Sequence, residues 1–165
     1  MEAQMQAITD QVAILGFGNP VRADDGIGIY VIKQLQEKLS NIPNVSLFDM
    51  GTSAFEVLYK LKGHQKIILV DAVLNSGQPV GSVFKLPASE VEAQVIDDPM
   101  VFLHGLKWDQ ALSYARKILR DEYPEDIEVY LVAIENTKFN TGIGQEAQHG
   151  GDQVVQLLIE QFNNH

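Results

Sequence analysis

Cysteine is missing from all 165 residues. Its absence excludes a disulfide framework, a thiol nucleophile, iron–sulfur ligation and the common Cys-rich zinc sites, and leaves the redox compartment open. Positive charge is scarce as well: 12 Lys plus Arg stand against 22 Asp plus Glu, a formal net charge of -10. With no block of Lys or Arg, nucleic acid is a poor partner, because phosphate contacts supply most of that affinity. No run of about 18 apolar residues occurs, and the opening MEAQMQAITDQ lacks a basic stretch leading into an apolar one. The chain reads as soluble and cytoplasmic, with no membrane insertion and a monomer as the default expectation.

No repeat, low-complexity tract or linker divides the sequence. At roughly 100 to 200 residues per domain, the length suits a single domain over 1–165, in which 1–10 are read as a poorly ordered N-terminal extension. QVAILGF (11–17) is a short apolar run closed by Gly18-Asn19-Pro20 and fits a buried strand. Ile27, Val31, Leu35 and Leu39 then recur at i, i+4 spacing, the inner face of a helix from about Asp25 to Leu39 that puts Asp24 and Asp25 near its first turn. NVSLFDM reads as a second strand, after which Thr52 or Ser53 can cap a helix carrying Phe55, Leu58 and Leu61.

KIILVDAV (66–73) has the near-continuous aliphatic run of a central parallel strand. Gly77 to Gly81 punctuate a turn into GSVFKL, an edge strand. A helical pattern from Leu106 to about Glu122 uses Leu106, Leu112, Ala115 and Leu119 and stops before Pro124. IEVYLVAIE (127–135) is a further strand, and 145–162 a last helix with Val154, Val155, Leu158 and Phe162 inward and a QHGG interruption near its start.

Strand and helix alternate throughout, so the expected architecture is a single-domain α/β three-layer sandwich, phosphorylase/hydrolase-like, with a mostly parallel central sheet. In open α/β sheets ligands bind outside the carboxyl ends of the strands. Asn19, Asp49, Asp71 and Glu135 all fall at or just beyond such ends and are expected to converge on one edge.

Within GFGNPVRADDGIG, Gly16 and Gly18 supply the first half of a dinucleotide fingerprint directly after a strand. The third glycine position is Val21, Pro20 and Arg22 lengthen the loop, and Asp49 is no convincing ribose ligand without that turn. No phosphate-binding G-x-x-x-x-G-K-[ST], nucleophile-elbow G-x-S-x-G or zinc-binding H-E-x-x-H occurs. What remains is carboxylate plus imidazole. Asp25 opens the first helix, Asp71 ends the strongest strand and His104 lies in PMVFLHGLKW; two hard oxygen donors and one imidazole suit a divalent transition metal, with nickel, zinc or iron all chemically reasonable.

The bland alternatives are a carboxylate that caps a helix and a histidine satisfied by backbone. His64 in a turn, His149 in the QHGG segment and His165 at the terminus are weaker candidates. Asp49, beside Gly51 at a strand end, can serve as general base toward water or cap its own turn. Glu56, Asp109, Arg116 and Lys138 read as solvated charge, whereas Arg22, in a loop above a carboxylate edge, can bind a substrate carboxylate.

ILGFGNPVRADDGIGIYVIKQL resembles the N-terminal signature of the hydrogenase maturation endopeptidases, the nickel–iron hydrogenase processing proteases: a strand, Gly-x-Gly-Asn, a short loop, an acidic pair, Gly and an amphipathic helix. FDMGTSAFEVL is similar to their Asp-Gly-Gly-Thr segment, LVDAV to their strand-end Asp-Ala, FLHGLKWDQAL to their His-containing segment before a helix, and VAIENTKFNTGIG to their late strand and Gly-rich turn. These matches fall in order and span most of the chain. The resemblance implies a peptidase that removes the C-terminal extension of a nickel–iron hydrogenase large-subunit precursor after nickel insertion, with nickel contributed by that precursor and other divalent metals able to occupy the site.

It further implies Asp25, Asp71 and His104 as metal-contacting residues; the strand-end and loop positions read above make Asp49 the candidate catalytic residue and Arg22 and Asn19 the candidate substrate-binding residues. Two positions depart from the pattern: members often carry Glu at the position of Asp25, and Met50 replaces the first glycine of the Asp-Gly-Gly segment. Without a thiol or elbow serine, direct attack by water on the scissile amide is the expected chemistry. The alternatives are a small α/β anion- or nucleotide-binding module without peptidase activity, and a metal-independent peptidase on the same scaffold.

Overall fold

The computed structural model describes residues 11–39, 42–53, 56–90 and 108–163. Among the described residues five strands form one sheet: β1 (Val12–Phe17), β2 (Val45–Gly51), β3 (Lys66–Leu74), β4 (Val83–Pro87) and β5 (Asp126–Ile134). Their order across the sheet is β2-β1-β3-β5-β4, with β4 antiparallel at one edge and every other pairing parallel. The described helices are α1 (Ile27–Lys38), a short α2 (Val57–Leu61), α3 (Trp108–Leu119) and α4 (Gln145–Asn163).

Alternation along the strands divides the core into two layers. Ile14, Ile68, Val70, Tyr130 and Val132 face α1 and α4, packing on Ile27, Val31, Leu35, Val154 and Leu158. Ala13, Leu15, Phe17, Ile67, Leu69 and Val129 face α2 and α3, packing on Val57, Leu61, Leu112 and Ala115. A period of two on the strands and of 3.6 on the helices produces this sandwich, because each apolar stripe must find an apolar sheet face. The Tyr30 hydroxyl donates to Asp152 Oδ1 at 2.6 Å, tying α1 to α4; burial and that carboxylate push the Tyr30 phenol up to about 12.

Two sequence expectations change. Neither Thr52 nor Ser53 caps α2: its N-cap position is Glu56 with no side-chain cap, after successive backbone turns in which Ser53 N–H donates to Met50 C=O at 2.9 Å and Ser53 C=O accepts from Glu56 N–H at 3.2 Å. The QHGG segment does not interrupt α4, which runs unbroken from Gln145. A side chain at Gly150 would stand 2.6 Å from the Gly81 carbonyl, and one at Gly151 would stand 2.7 Å from Ile27 Cδ1. The two glycines thus let α4 close onto β4 and α1, a gain in packing that offsets their poor helix propensity of about 1 kcal/mol each. Phe55, Leu106, Asp109's side chain, His104, His165 and the proposed extension over 1–10 lie outside the described residues.

Candidate active site at the split between β1 and β3

The sheet divides near the carboxyl ends of its strands. β1 pairs with β3 only as far as Gly16↔Val70, then shifts register after Gly16 and stays with β2 through Phe17↔Gly51. β3 continues with β5 to Leu74↔Ile134. The chain leaving β1 enters α1 on one face, while α2 and α3 lie on the other. The gap between the ends of β1 and β3 is therefore the topological switch point, where open α/β sheets take their ligands.

Three glycines hold α1 against this gap. A Cβ at Gly28 would lie 2.1 Å from Phe17 O and 2.7 Å from Val70 O; at Gly16, 2.3 Å from Ile32 Cγ1 and 2.4 Å from Gly28 O; and at Gly18, 2.1 Å from Asp25 O. The glycines that imitate a nucleotide fingerprint are consumed by strand–helix contact.

Asp71 is the first β3 residue beyond the split. It shares the face of Leu69, toward α3, and is half-buried. Ala72 N–H donates to its Oδ1 at 2.7 Å, and the indole N–H of Trp108, at the start of α3, donates to Oδ2. Phe17 supports the indole from beneath, ring centroids 6.2 Å apart.

Asp25 arrives from the other side, on a 3-10 turn (Ala23–Gly26) that precedes α1 and packs against β3. Ala23 sits at φ 51, in the left-handed region that non-glycine residues seldom occupy, where the loop reverses into the turn. The Asn19 N–H donates to both the carbonyl and Oδ2 of Asp25, each at 3.2 Å. Burial raises the Asp25 pKa above the usual carboxylate value, against the opposing pull of the Asn19 N–H and the Arg22 charge. Neither Asp24 nor Asp25 caps α1, whose N-cap is Gly26.

The other candidates occupy defined places. Asn19 Oδ1 accepts from Val21 N–H at 3.1 Å and Asn19 O from Arg22 N–H at 3.0 Å, so Asn19 braces its own turn. The Arg22 guanidinium lies 3.8 Å over the ring of exposed Phe139. Asp49 is exposed, pairs laterally with Gly16 and accepts from Gly51 N–H at 3.0 Å, closing the turn at the end of β2. Alternation places it on the α1 face with Leu47, whereas Asp71 takes the α3 face; one strand separates them, so roughly 10 Å of sheet lies between β2 and β3.

Glu135 does not join this edge, because β3 and β5 run on past the end of β1. It lies four residues beyond Leu131, the register partner of Asp71, which is about 13 Å along an extended chain, and it is exposed. His64 bonds Lys60 O through Nδ1 at 2.7 Å, and His149 is exposed on α4. Glu56 and Lys138 are exposed as expected, while Arg116 lies 4.9 Å over the Tyr123 ring.

Two contributors were not singled out by sequence. Asp24 is only 4% exposed; its Oδ1 accepts from Gly144 N–H at 2.7 Å at the start of α4, and its own N–H donates to Asn136 O at 3.0 Å. Trp108 was readable in principle, as the sole tryptophan, whose indole N–H seeks an acceptor when it is partly buried.

Among the described residues no three His, Asp or Glu side chains cluster to hold a metal. Asp25 and Asp71 are the two oxygen donors beside the split; His104 lies outside the described residues. Carboxylate oxygens are the donor type that hard and borderline divalent ions accept.

Fold and site define a small α/β protein with carboxylates at its switch point and no thiol or elbow serine. A sequence profile for the hydrogenase maturation protease family matches residues 29–161, and the chain belongs to that family. It is 26% identical over 116 residues to the hydrogenase expression/formation protein HoxM of Cupriavidus necator, covering 70% of this chain and 55% of HoxM, so it spans little more than half the length of that relative. It is 24% identical over 133 residues to the hydrogenase 2 maturation protease of Escherichia coli, covering 81% and 79%. The fold matches the hydrogenase maturating endopeptidase HybD from E. coli with a TM-score of 0.76 at 21% identity, over 93% of each chain. HybD from Thermococcus kodakarensis matches with a TM-score of 0.69 at 18% identity, over 92% of this chain and 99% of that one. The expected α/β sandwich and the family resemblance are both borne out, and the nucleotide-binding alternative is not favoured.

Proposed function

We propose that this protein is an endopeptidase that removes the C-terminal extension of a nickel–iron hydrogenase large-subunit precursor once nickel is in place. Nickel belongs to the substrate, and Asp25, Asp71 and His104 contact it, placing the precursor tail in the split between β1 and β3. Family membership supports the reaction class. The observation that carries the site assignment is the close seat of Gly28 beneath Phe17 O and Val70 O, which brings the Asp25 turn against the strand that bears Asp71.

A bound metal can orient the substrate or polarise the scissile carbonyl. This chain's own contribution is holding the tail and moving a proton. The Trp108 and Ala72 N–H groups fix the Asp71 carboxylate, leaving it little rotamer freedom to lose on binding. Asp49 activates the attacking water: one oxygen is engaged by Gly51 N–H, and the other has no partner among the described residues. Arg22 and Asn19 meet the substrate from the loop. The lack of cysteine accords with this division, since thiolates that hold nickel then come from the precursor. The protein acts as a monomer in the cytoplasm, on a polypeptide rather than on nucleic acid or a membrane.

The test is incubation with nickel-loaded and nickel-free precursor, followed by mass analysis of the precursor's C-terminus. Shortening is expected only with nickel. Asp71→Ala should retain its thermal transition and lose processing, a fall of at least about a hundredfold if the metal contact positions the substrate. Full processing by the folded variant would refute the role given to Asp71.

A further inference from the structure

Among the described residues the split leaves one edge of β3 unpaired beyond Val70, and the register gives the direction of its backbone groups. Val12 N–H donates to Asn44 O at 2.8 Å, toward β2, so Gln11 and Ala13 turn to β3; Gln11 O accepts from Lys66 N–H at 3.2 Å and from Gln65 N–H, which precedes the strand, at 2.9 Å. Residues of one strand alternate in the side to which both N–H and C=O point, so Lys66, Ile68, Val70, Ala72 and Leu74 all turn toward β1. The first three have β1 opposite them, in the register Val12↔Lys66, Ile14↔Ile68 and Gly16↔Val70. Ala72 and Leu74 face the same side after β1 has left.

Of their four backbone groups one is satisfied internally, the Ala72 N–H on Asp71 Oδ1. Ala72 C=O, Leu74 N–H and Leu74 C=O have no partner among the described residues. Ala72 is half-buried and Leu74 is 48% exposed. Water can satisfy such groups, but an open edge is equally a template for another strand. Proteins usually blunt such edges with charge or proline, as β4 does here with Lys85 and Pro87. Ala72-Val73-Leu74 has neither.

We infer that this edge is the backbone-recognition site for the substrate: an extended segment of the precursor adds as a short strand beside Ala72–Leu74, accepting from Leu74 N–H and donating to the two carbonyls. The inference rests on the peptidase reading and adds the mode of binding. Strand addition recognises main chain and tolerates variation in side chains. It lays the bound polypeptide against the residue that follows Asp71, so the amide to be cut lies along the lip of the split.

Hydrogen exchange on the full protein tests this, with and without nickel-loaded precursor, alongside kinetics of two variants. The Leu74 amide should be protected when precursor is present and exchange freely without it. Leu74→Pro removes the outward N–H while leaving the β5 ladder intact, and should lower kcat/KM about tenfold or more, the order expected for one lost hydrogen bond and an obstructed edge. Leu74→Ala, which keeps the N–H, should stay within about twofold. Unchanged exchange at Leu74 while wild-type protein processes the precursor would overturn the edge assignment and leave the peptidase reading standing. A wild-type protein that leaves nickel-loaded precursor uncut would overturn both. Protection that grows with protein concentration in the absence of precursor assigns the edge to a second copy of this chain and overturns the inference. If Leu74→Pro fails to fold, the exchange measurement on the wild type decides alone.

Discussion

Gly28→Ala separates a packing role for the glycine-rich loop from a ligand-cradling one. The added methyl would meet Phe17 O at 2.1 Å and Val70 O at 2.7 Å, whereas real Cβ atoms essentially never approach closer than 3.0 Å. Both obstacles are strand backbone and cannot rotate away, so the start of α1 must retreat by about 1 Å from contacts packed at crystal-like density. Forcing an extra methyl into such a place costs typically about 1–3 kcal/mol or more, against a helix-propensity gain of at most about 1 kcal/mol for Gly to Ala. The steric term wins, with a net loss of about 2 kcal/mol. For a chain of this length each kcal/mol shifts Tm by about 2–4 °C, so thermal unfolding followed by circular dichroism should show a fall of about 4–8 °C. Gly142→Ala is the control: nothing lies within 4 Å of its Cβ, and its melt should match wild type within about 0.5 kcal/mol. A Gly28→Ala protein that melts with the wild type would refute the close-packing argument and return these glycines to a ligand.

Asp24→Ala should cost about 2 kcal/mol by leaving Gly144 N–H without its buried acceptor, and Asp24→Asn, which keeps an oxygen there, about half as much; thermal melts and exchange of the Gly144 amide check both. At the opposite end of the sheet Glu128 bonds both Lys66 and Lys85, the latter at 3.1 Å. Burial alone would raise its pKa, but the hydrogen bonds and charges of the two lysines outweigh that and hold it below the usual value of 4.5. A carboxylate with a depressed folded pKa contributes stability above its unfolded value and loses it as pH falls through the folded one. Glu128→Gln should therefore be less stable than wild type by about 1 kcal/mol near pH 7, with the gap closing below pH 4.5 in paired denaturation curves. A gap that persists at low pH would show that shape rather than charge matters there.

The strands and long helices were legible because their signals are local. KIILVDAV carries its central position in an unbroken aliphatic run, and Ile27, Val31, Leu35 and Leu39 carry the buried stripe of α1 in their spacing. The place of Asp71 was legible for the same reason, as the polar residue that ends the aliphatic run of β3. The division of the acidic pair was not legible. Asp24 and Asp25 are adjacent and chemically alike, and only the tertiary position of Gly144, 120 residues later, sends one inward and leaves the other at the split. Glu135 misled because a strand's end in sequence does not say how far its neighbours run: β3 and β5 continue past β1, and that overhang is a property of register. The paired glycines of α4 misled because propensity reads them as a break, while two close contacts make them a seat.

The overhang also explains why a loop so like a nucleotide fingerprint belongs to a different chemistry. Both designs need a helix to start close against a strand end, and both use glycine to permit it. They differ in what occupies the space in front of the helix. A phosphate site leaves it to an anion. Here Asp25, braced by Asn19 N–H, already stands there with a carboxyl whose ionised form is disfavoured by burial. An arriving anion would deepen that penalty, and an arriving cation would relieve it. The proposed metal contact is consistent with that balance, since a cation offsets the desolvation that raises the Asp25 pKa. On the reading proposed above, Asp71, held by the Trp108 and Ala72 N–H groups, is the second carboxylate to meet a metal that the precursor carries.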